Sequence, residues 1–285
     1  MTTIRVGGVP EHFNLPWHLA LEEGLFKQAG ADVQWTDYPA GTGAMCKDLR
    51  NGALDVAVVL TEGIVADIIN GARAKLIQWY VETPLIWGIH TSIDSSVDLN
   101  NMKSKKYAIS RKGSGSHLMA FVDAKIRGLQ IDESQFVLVE NMNGARKALR
   151  EGAADLFLWE KFMTEPLVDS GEFRRIGERP TPWPCFVIAA SDEFISQNAE
   201  LLLHIGNAVS SRADIFKNDQ LTPALISQKF NLQPADALEW LCHTSWRNNR
   251  LDSHTLQNVI DTLYEIQVIS KKVKPEELCA FPHFK

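Results

Sequence analysis

Two ten-residue stretches, one hundred positions apart, carry nearly the same message: Leu49-Arg50-Asn51-Gly52-Ala53-Leu54-Asp55-Val56-Ala57-Val58 and Leu149-Arg150-Glu151-Gly152-Ala153-Ala154-Asp155-Leu156-Phe157-Leu158. In each, Leu and Arg close an amphipathic helical turn. A glycine then stands where a left-handed C-terminal residue is needed, and the apolar run after Asp suits a buried parallel strand. A helix that ends at glycine and feeds a short strand, written twice, predicts an α/β protein of two similar lobes.

The surrounding pattern agrees with that reading. Residues 4–8, 32–38, 55–60 and 75–81 read as strands alternating with helices at 16–29, 43–51 and 62–70, the grammar of right-handed β-α-β crossovers. Pro84 to His90 is an extended apolar run able to carry the chain out of the first lobe, and Asp94 to Asp98 is a polar, turn-rich break. The grammar resumes with strands at 106–110, 136–140 and 155–159 and helices at 115–128, 143–151 and 160–170, closed by Gly171. Arg179-Pro180-Thr181-Pro182-Trp183-Pro184 cannot be helical, so it and Cys185 to Ala190 read as a second crossing back. From Asp192 onward the pattern is helical, punctuated by Pro223, Pro234 and Pro275. The expected lobes are 1–88 with 190–285, and 89–189, with a ligand cleft between them.

The chain's 285 residues, 45% of them hydrophobic, suffice for two medium cores. A net charge of −6 with interspersed signs gives no electrostatic footprint for nucleic acid or for an anionic membrane. No stretch has transmembrane length, so membrane insertion is not expected. A strand-like run begins close to Met1 without a basic and apolar leader, which points to the cytoplasm; a removed signal peptide would place the protein in the periplasm instead. Cys46, Cys185, Cys242 and Cys279 are widely spaced and form no metal-ligand or disulfide framework. No metal and no cofactor are expected.

Candidate ligand-binding residues cluster in strand-to-helix loops, where open α/β sheets place their sites. Gly41-Thr42-Gly43-Ala44 opens a helix whose free amides and dipole favour an anionic group, or it is a simple capped turn. Lys112-Gly113-Ser114-Gly115-Ser116-His117 is a stronger cradle, with two hydroxyls, a Lys and a His, yet it lacks nucleotide P-loop spacing. In the first loop His12, Asn14 and Trp17 offer an aromatic and hydrogen-bonding wall, or a lid on the core. Thr61-Glu62 and Trp159-Glu160 occupy matching places after the repeated strands; the two carboxylates could bind hydroxyls or a cationic nitrogen, act as acid and base, or cap helices. Asn141 and Asn143 complete the rim, with turn formation as their alternative.

These motifs together resemble the type II periplasmic-binding-protein superfamily, in particular its nitrate, sulfonate and taurine binding proteins and its thiamine-pyrimidine-precursor group. The carriers are Ala20-Leu21-Glu22-Glu23-Gly24-Leu25-Phe26, Gly41 to Ala44, the two repeats, Asp98-Leu99 before Lys105-Lys106-Tyr107-Ala108-Ile109, and Gly113-Ser114-Gly115-Ser116-His117. The resemblance implies two mostly parallel sheets flanked by helices, joined by two crossing strands and closing on a small molecule by hinge motion. It also implies ligand contacts from the first loop, Gly41–Ala44, Ser114–His117 and the strand end at Trp159. Two departures stand out. The cysteine-rich motif of the fungal pyrimidine-precursor synthases is absent, and carboxylates at 62 and 160 argue against a purely anionic ligand such as nitrate.

Three functions follow as expectations. The first is a small-molecule binder for a sulfonate-like or pyrimidine-like ligand, without turnover. The second is an enzyme on the same fold acting on a thiamine-pyrimidine or menaquinone precursor, with Glu62 and His117 as acid-base groups. The third is an exported transport component whose partner is an ABC permease. No catalytic constellation is visible, so binding ranks above catalysis.

Overall fold

The computed structural model describes residues 1–246 and 250–281, which form two compact units, Met1–Pro84 with Pro182–Lys285, and Leu85–Thr181. In the first unit the strands β1 (Thr2–Gly8), β2 (Ala31–Asp37), β3 (Val56–Leu60) and β4 (Ala74–Val81) alternate with helices α1 (Leu15–Glu22), α2 (Leu25–Gln28), α3 (Thr42–Arg50) and α4 (Thr61–Ile69). In the second, β5 (Ile86–Ser92) precedes β6 (Tyr107–Ile109), α5 (Gly115–Ile126), β7 (Phe136–Leu138), α6 (Met142–Arg150), β8 (Leu156–Glu160), α7 (Lys161–Asp169) and β9 (Phe173–Pro180). The chain then returns to the first unit through β10 (Phe186–Ser191) and the helices α8 (Asp192–Asn218), α9 (Thr222–Phe230), α10 (Pro234–His243) and α11 (Ser253–Glu265).

The two sheets share one topology. Their strand orders are β2-β1-β3-β10-β4 and β7-β6-β8-β5-β9. Pairing is parallel across β2-β1-β3 and β7-β6-β8, and the fourth strand of each sheet, β10 or β5, is antiparallel to both its neighbours. Four strands of each sheet therefore run one way. The single reversed strand is in each case the first one laid down after the chain crosses from the other unit.

The repeated motif explains how each parallel pair is pinned. Gly52 and Gly152 take φ of 74° and 70°, a region costly for a residue with a Cβ. The aspartates that follow clamp the neighbouring strand. Asp55 Oδ2 accepts the Arg5 amide at 2.8 Å while the Asp55 amide donates to the Arg5 carbonyl at 3.0 Å; Asp155 does the same with Lys106, at 2.8 Å in both directions. Asp155→Ala is expected to cost about 1 kcal/mol, because a partly exposed amide loses its acceptor to water. Urea denaturation with an unchanged m-value would show it.

Four sequence expectations are corrected. The helix expected over 16–29 is two helices, broken where Gly24 turns left-handed at φ 72°. Residues 185–190 are not a crossing but the strand β10, inserted between β3 and β4. The β9 strand, rich in charge, carried no apolar signal and was not expected at all. The unit boundaries fall at 84/85 and 181/182 rather than 88/89 and 189/190, because β5 belongs wholly to the second sheet and β10 wholly to the first.

The crossings are correspondingly short. In the second unit the Thr181 amide donates to the Leu85 carbonyl at 2.9 Å and the Leu85 amide to Thr181 Oγ1 at 3.0 Å; in the first, the Cys185 amide donates to the Thr83 carbonyl at 3.1 Å.

Candidate functional site

In each sheet the chain leaves the central strand of a parallel trio to one side and returns on the other, so the carboxyl ends of β1 and β3, and of β6 and β8, are topological switch points where ligands of open α/β sheets bind. The sequence-derived candidates fall at these ends. In the first unit they occupy the loop after β1, the turn after β2 and the start of α4. In the second they occupy the loop after β6, the turn after β7 and the end of β8.

The turn at Gly41 is shaped for close approach. Gly41 adopts φ 73° and ψ −165°, a conformation essentially reserved for glycine, and then α3 begins at Thr42. Thr42 is buried and its Oγ1 accepts the Leu60 amide at 3.1 Å, tying the turn to the end of β3. The first-turn amides of Thr42 and Gly43 have no acceptor in their own helix. Gly43 and Ala44 are half-buried beside them.

The loop after β6 is more tightly built. Ser114 caps α5, its Oγ accepting the His117 amide at 3.4 Å, and lies 3.0 Å from Ser116 Oγ, which accepts the Ser110 amide at 3.1 Å. His117 Nδ1 accepts the Gly113 amide at 3.0 Å, which leaves the ring proton on Nε2, 3.4 Å from Glu133. Burial holds the His117 pKa below the ordinary histidine value, partly opposed by Glu133. Lys112 pairs with the same Glu133 at 2.8 Å, so the lysine charge is answered within the unit. Both hydroxyls serve the loop's own backbone, and the first-turn amides of Gly115 and Ser116 have no acceptor within their own helix.

The first-loop candidates are placed differently from what a ligand wall requires. His12 is fully buried and stacks on Trp240 at 4.3 Å with Phe13 and Phe230 edge-on or tilted beside it, and burial lowers its pKa to about 3. Trp17 is buried among Phe26, Trp35 and Tyr80. Asn14 turns its amide back on the Val9 carbonyl at 2.8 Å. These three residues form core, because their partners arrive from α2, β2, β4, α9 and α10. Glu11 is half-buried beside them, and desolvation of its carboxyl raises it to about 7.

The remaining candidates cap helices or line them. Asn141 caps α6 by accepting the Gly144 amide at 3.1 Å, and Asn143 is exposed in the first turn. Glu160 is buried and caps α7, accepting the Met163 amide at 2.6 Å. Trp159 stacks on Phe157 at 5.3 Å and keeps part of its surface open. Thr61 and Glu62 begin α4 and are fully buried; Glu62 Oε2 accepts the Trp183 indole N–H at 2.9 Å, and burial pushes the carboxyl up to about 7. The Trp183 partner was not foreseen. The signal that could have found it is a tryptophan set between prolines, which, if buried, must hand its N–H to an acceptor. Also unforeseen is His90, buried between the Phe157 carbonyl and Thr164 Oγ1 and lowered to about 4.

Among the described residues no cluster of three His, Cys, Asp or Glu is placed to hold a metal, and no helix is long and apolar enough to cross a membrane.

Comparison with known proteins follows the same outline. The model of the Ca3427-like PBP family matches residues 87–179. No curated protein matches the chain by sequence. Among solved structures, the Candida albicans CA3427 gene product, described as exhibiting the generic periplasmic binding protein structural fold, is similar at a TM-score of 0.89 and 26% identity, covering 96% of this chain and 92% of that one. The alkanesulfonate-binding protein SsuA of Xanthomonas axonopodis pv. citri, bound to MOPS, superposes at a TM-score of 0.81 with 18% identity over 96% of each chain. PhnD1 of Prochlorococcus marinus, in complex with methylphosphonate, gives 0.61 and 12%, covering 94% of this chain and 99% of that one. The doubled sheet topology, the switch-point loops and these likenesses converge: the chain is a protein of the periplasmic-binding-protein fold.

Proposed function

We propose that this chain is a solute-binding-type protein that takes a small molecule with an anionic or strongly polar head, a sulfonate or phosphonate before a pyrimidine. The observation that carries the reading is the turn Gly41–Ala44 and the capped loop Ser114–His117, each at the carboxyl end of a parallel strand with first-turn amides free to meet an oxyanion. Neighbours of this fold that hold MOPS and methylphosphonate support the same ligand chemistry. Binding brings closure about the short segments 82–85 and 181–185. An ABC permease is the partner this reading carries if the chain works in import. The enzymatic alternative keeps Glu62 and His117 as its acid-base pair, but each already serves a partner within its own unit, so binding is preferred.

The test is calorimetric titration with MOPS, methylphosphonate, taurine and a 4-aminopyrimidine, followed on the tightest of them by Ser114→Ala and Ser116→Ala. Each substitution is expected to weaken binding about tenfold, because the two hydroxyls hold the loop backbone whose amides meet the ligand. X-ray scattering should show a smaller radius of gyration with ligand. Unchanged affinity in both variants would remove the Ser114–His117 loop from the site.

A further inference from the structure

The pair Thr61-Glu62 does more than start a helix. Three hydrogen bonds join it to the segment on which the chain returns from the second unit: Thr61 Oγ1 donates to the Pro184 carbonyl at 2.6 Å, the Thr61 amide donates to the Cys185 carbonyl at 3.0 Å, and Trp183 Nε1 donates to Glu62 Oε2 at 2.9 Å. On its other side the same turn holds the Gly41–Ala44 turn, through the Leu60 amide on Thr42 Oγ1 and through Gly63. A Cβ at position 63 would stand 2.6 Å from the Thr42 methyl, so only glycine lets the two turns nest. We infer that Thr61-Glu62 is a proton-sensitive latch, with Glu62 as a positioning residue that couples the Gly41–Ala44 turn to the returning segment Trp183–Cys185. The coupling to ligand rests on the function proposed above; the latch itself does not.

The proton sensitivity comes from what surrounds the carboxyl. Glu62 is fully buried, one oxygen takes the indole proton, and Oε1 has no hydrogen-bond partner among the described residues. The flanking strands β3 (Val56–Leu60) and β10 (Phe186–Ser191) carry no ionisable side chain; the thiols Cys185, just before β10, and Cys46, on α3, are both buried. On α3 the charged groups are Lys47, Asp48 and Arg50, and Arg50 is paired with Asp67 toward the far end of α4. On α11 they are His254, Asp261 and Glu265, and in the turn Pro275–Leu278 they are Glu276 and Glu277. None of these acts on Glu62, whose balance is set by burial, its own backbone amide and Trp183. A neutral carboxyl suits such a place. An ionised one does not, and recruits water or a cation by loosening the segment that covers it.

The experiment uses ligand-free protein between pH 5.5 and 8.5, following tryptophan emission and the ¹³C signal of the Glu62 carboxyl. Both are expected to change together with a midpoint near 7. The emission change should vanish in Trp183→Phe and in Glu62→Gln, the latter fixed in its low-pH form. MOPS affinity is expected to vary about tenfold across the same range in the wild type and to be independent of pH in Glu62→Gln. A carboxyl signal that titrates near the ordinary glutamate value, or an emission change that persists in Glu62→Gln, overturns the latch. Failure of MOPS, methylphosphonate, taurine and the aminopyrimidine to bind, with the titration intact, overturns the proposed function and the ligand coupling while the latch stands.

Discussion

Asp123→Ala is expected to destabilise the 85–181 unit by roughly 3–5 kcal/mol, the usual loss when one partner of a buried ion pair is removed. Asp123 has no exposed surface, and its two oxygens are divided between Arg127 of the following turn, at 2.8 Å, and Arg179 of β9, at 2.6 Å. Truncation strands two guanidinium groups that are themselves mostly enclosed. Thermal unfolding should show it as a fall of roughly 6–20 °C, at about 2–4 °C per kcal/mol for a protein of this size. Asp123→Asn, which keeps one acceptor, should lose less. The consequence reaches the candidate site, because α5 carries Ser114–His117 at its start and is tied to β9 through this residue. Ligand affinity in Asp123→Asn should drop even where the protein remains folded, and an unchanged melting point in Asp123→Ala would contradict the description of the pair.

The second large effect is the dependence of stability on pH. His12 and His90 stay neutral in the native state to about 3 and about 4, whereas an unfolded histidine accepts a proton near 6.5. Below 6.5 the unfolded chain therefore binds more protons at these two sites, and stability falls on acidification. Glu11 and Glu62 have the opposite sign. Raised to about 7 in the native state from 4.5, they hold protons there that the unfolded chain has released, so their contribution is complete below 4.5 and is lost as pH rises to 7. These two groups of each sign offset one another between about 4.5 and 6.5, which leaves there only the decline on acidification from His18 and His117, also lowered by burial. Below 4.5 only the histidine loss continues, at up to about 1.4 kcal/mol per pH unit for each group, joined by the ion-paired carboxylates such as Glu172 and Glu133, whose pKa values are depressed. Glu62→Gln removes one of the opposing protons. Its stability should decline more steeply from pH 6.5, by roughly 2–3 kcal/mol more on reaching 4.5. Urea titrations at half-unit pH intervals measure both curves, and a flat profile in Glu62→Gln would refute this accounting.

Much of the fold was legible because its strongest signals are local. Gly52 and Gly152 announce helix ends, and Asp55 and Asp155 begin strands, through conformations and hydrogen bonds that span a few residues. The loops at Gly41 and Ser114 were legible for the same reason. What was hidden depends on distant partners. His12 and Trp17 read as a ligand wall because nothing nearby tells that Phe230 and Trp240 will close over one and Trp35 and Tyr80 over the other. The strand β9, Phe-Arg-Arg-Ile-Gly-Glu-Arg-Pro, lies at a sheet edge and spends its charged side chains on Glu165, Glu178, Asp123 and the carbonyls of Ser95 and Val97, a pattern with no alternation to detect. Glu62 and Trp183 are joined across more than a hundred positions. Such a pair is invisible to any window of sequence.

The placement of β10 between β3 and β4 has a consequence for biosynthesis. During translation the strands β1 to β4 emerge first, yet their sheet lacks an interior member until residues 186–191 have left the ribosome. The 85–181 segment, uninterrupted in the chain, has all five of its strands by then. The nascent polypeptide thus acquires its middle before its beginning is finished, and β3 and β4 wait as open edges in the interval, the period in which a holdase would be most useful.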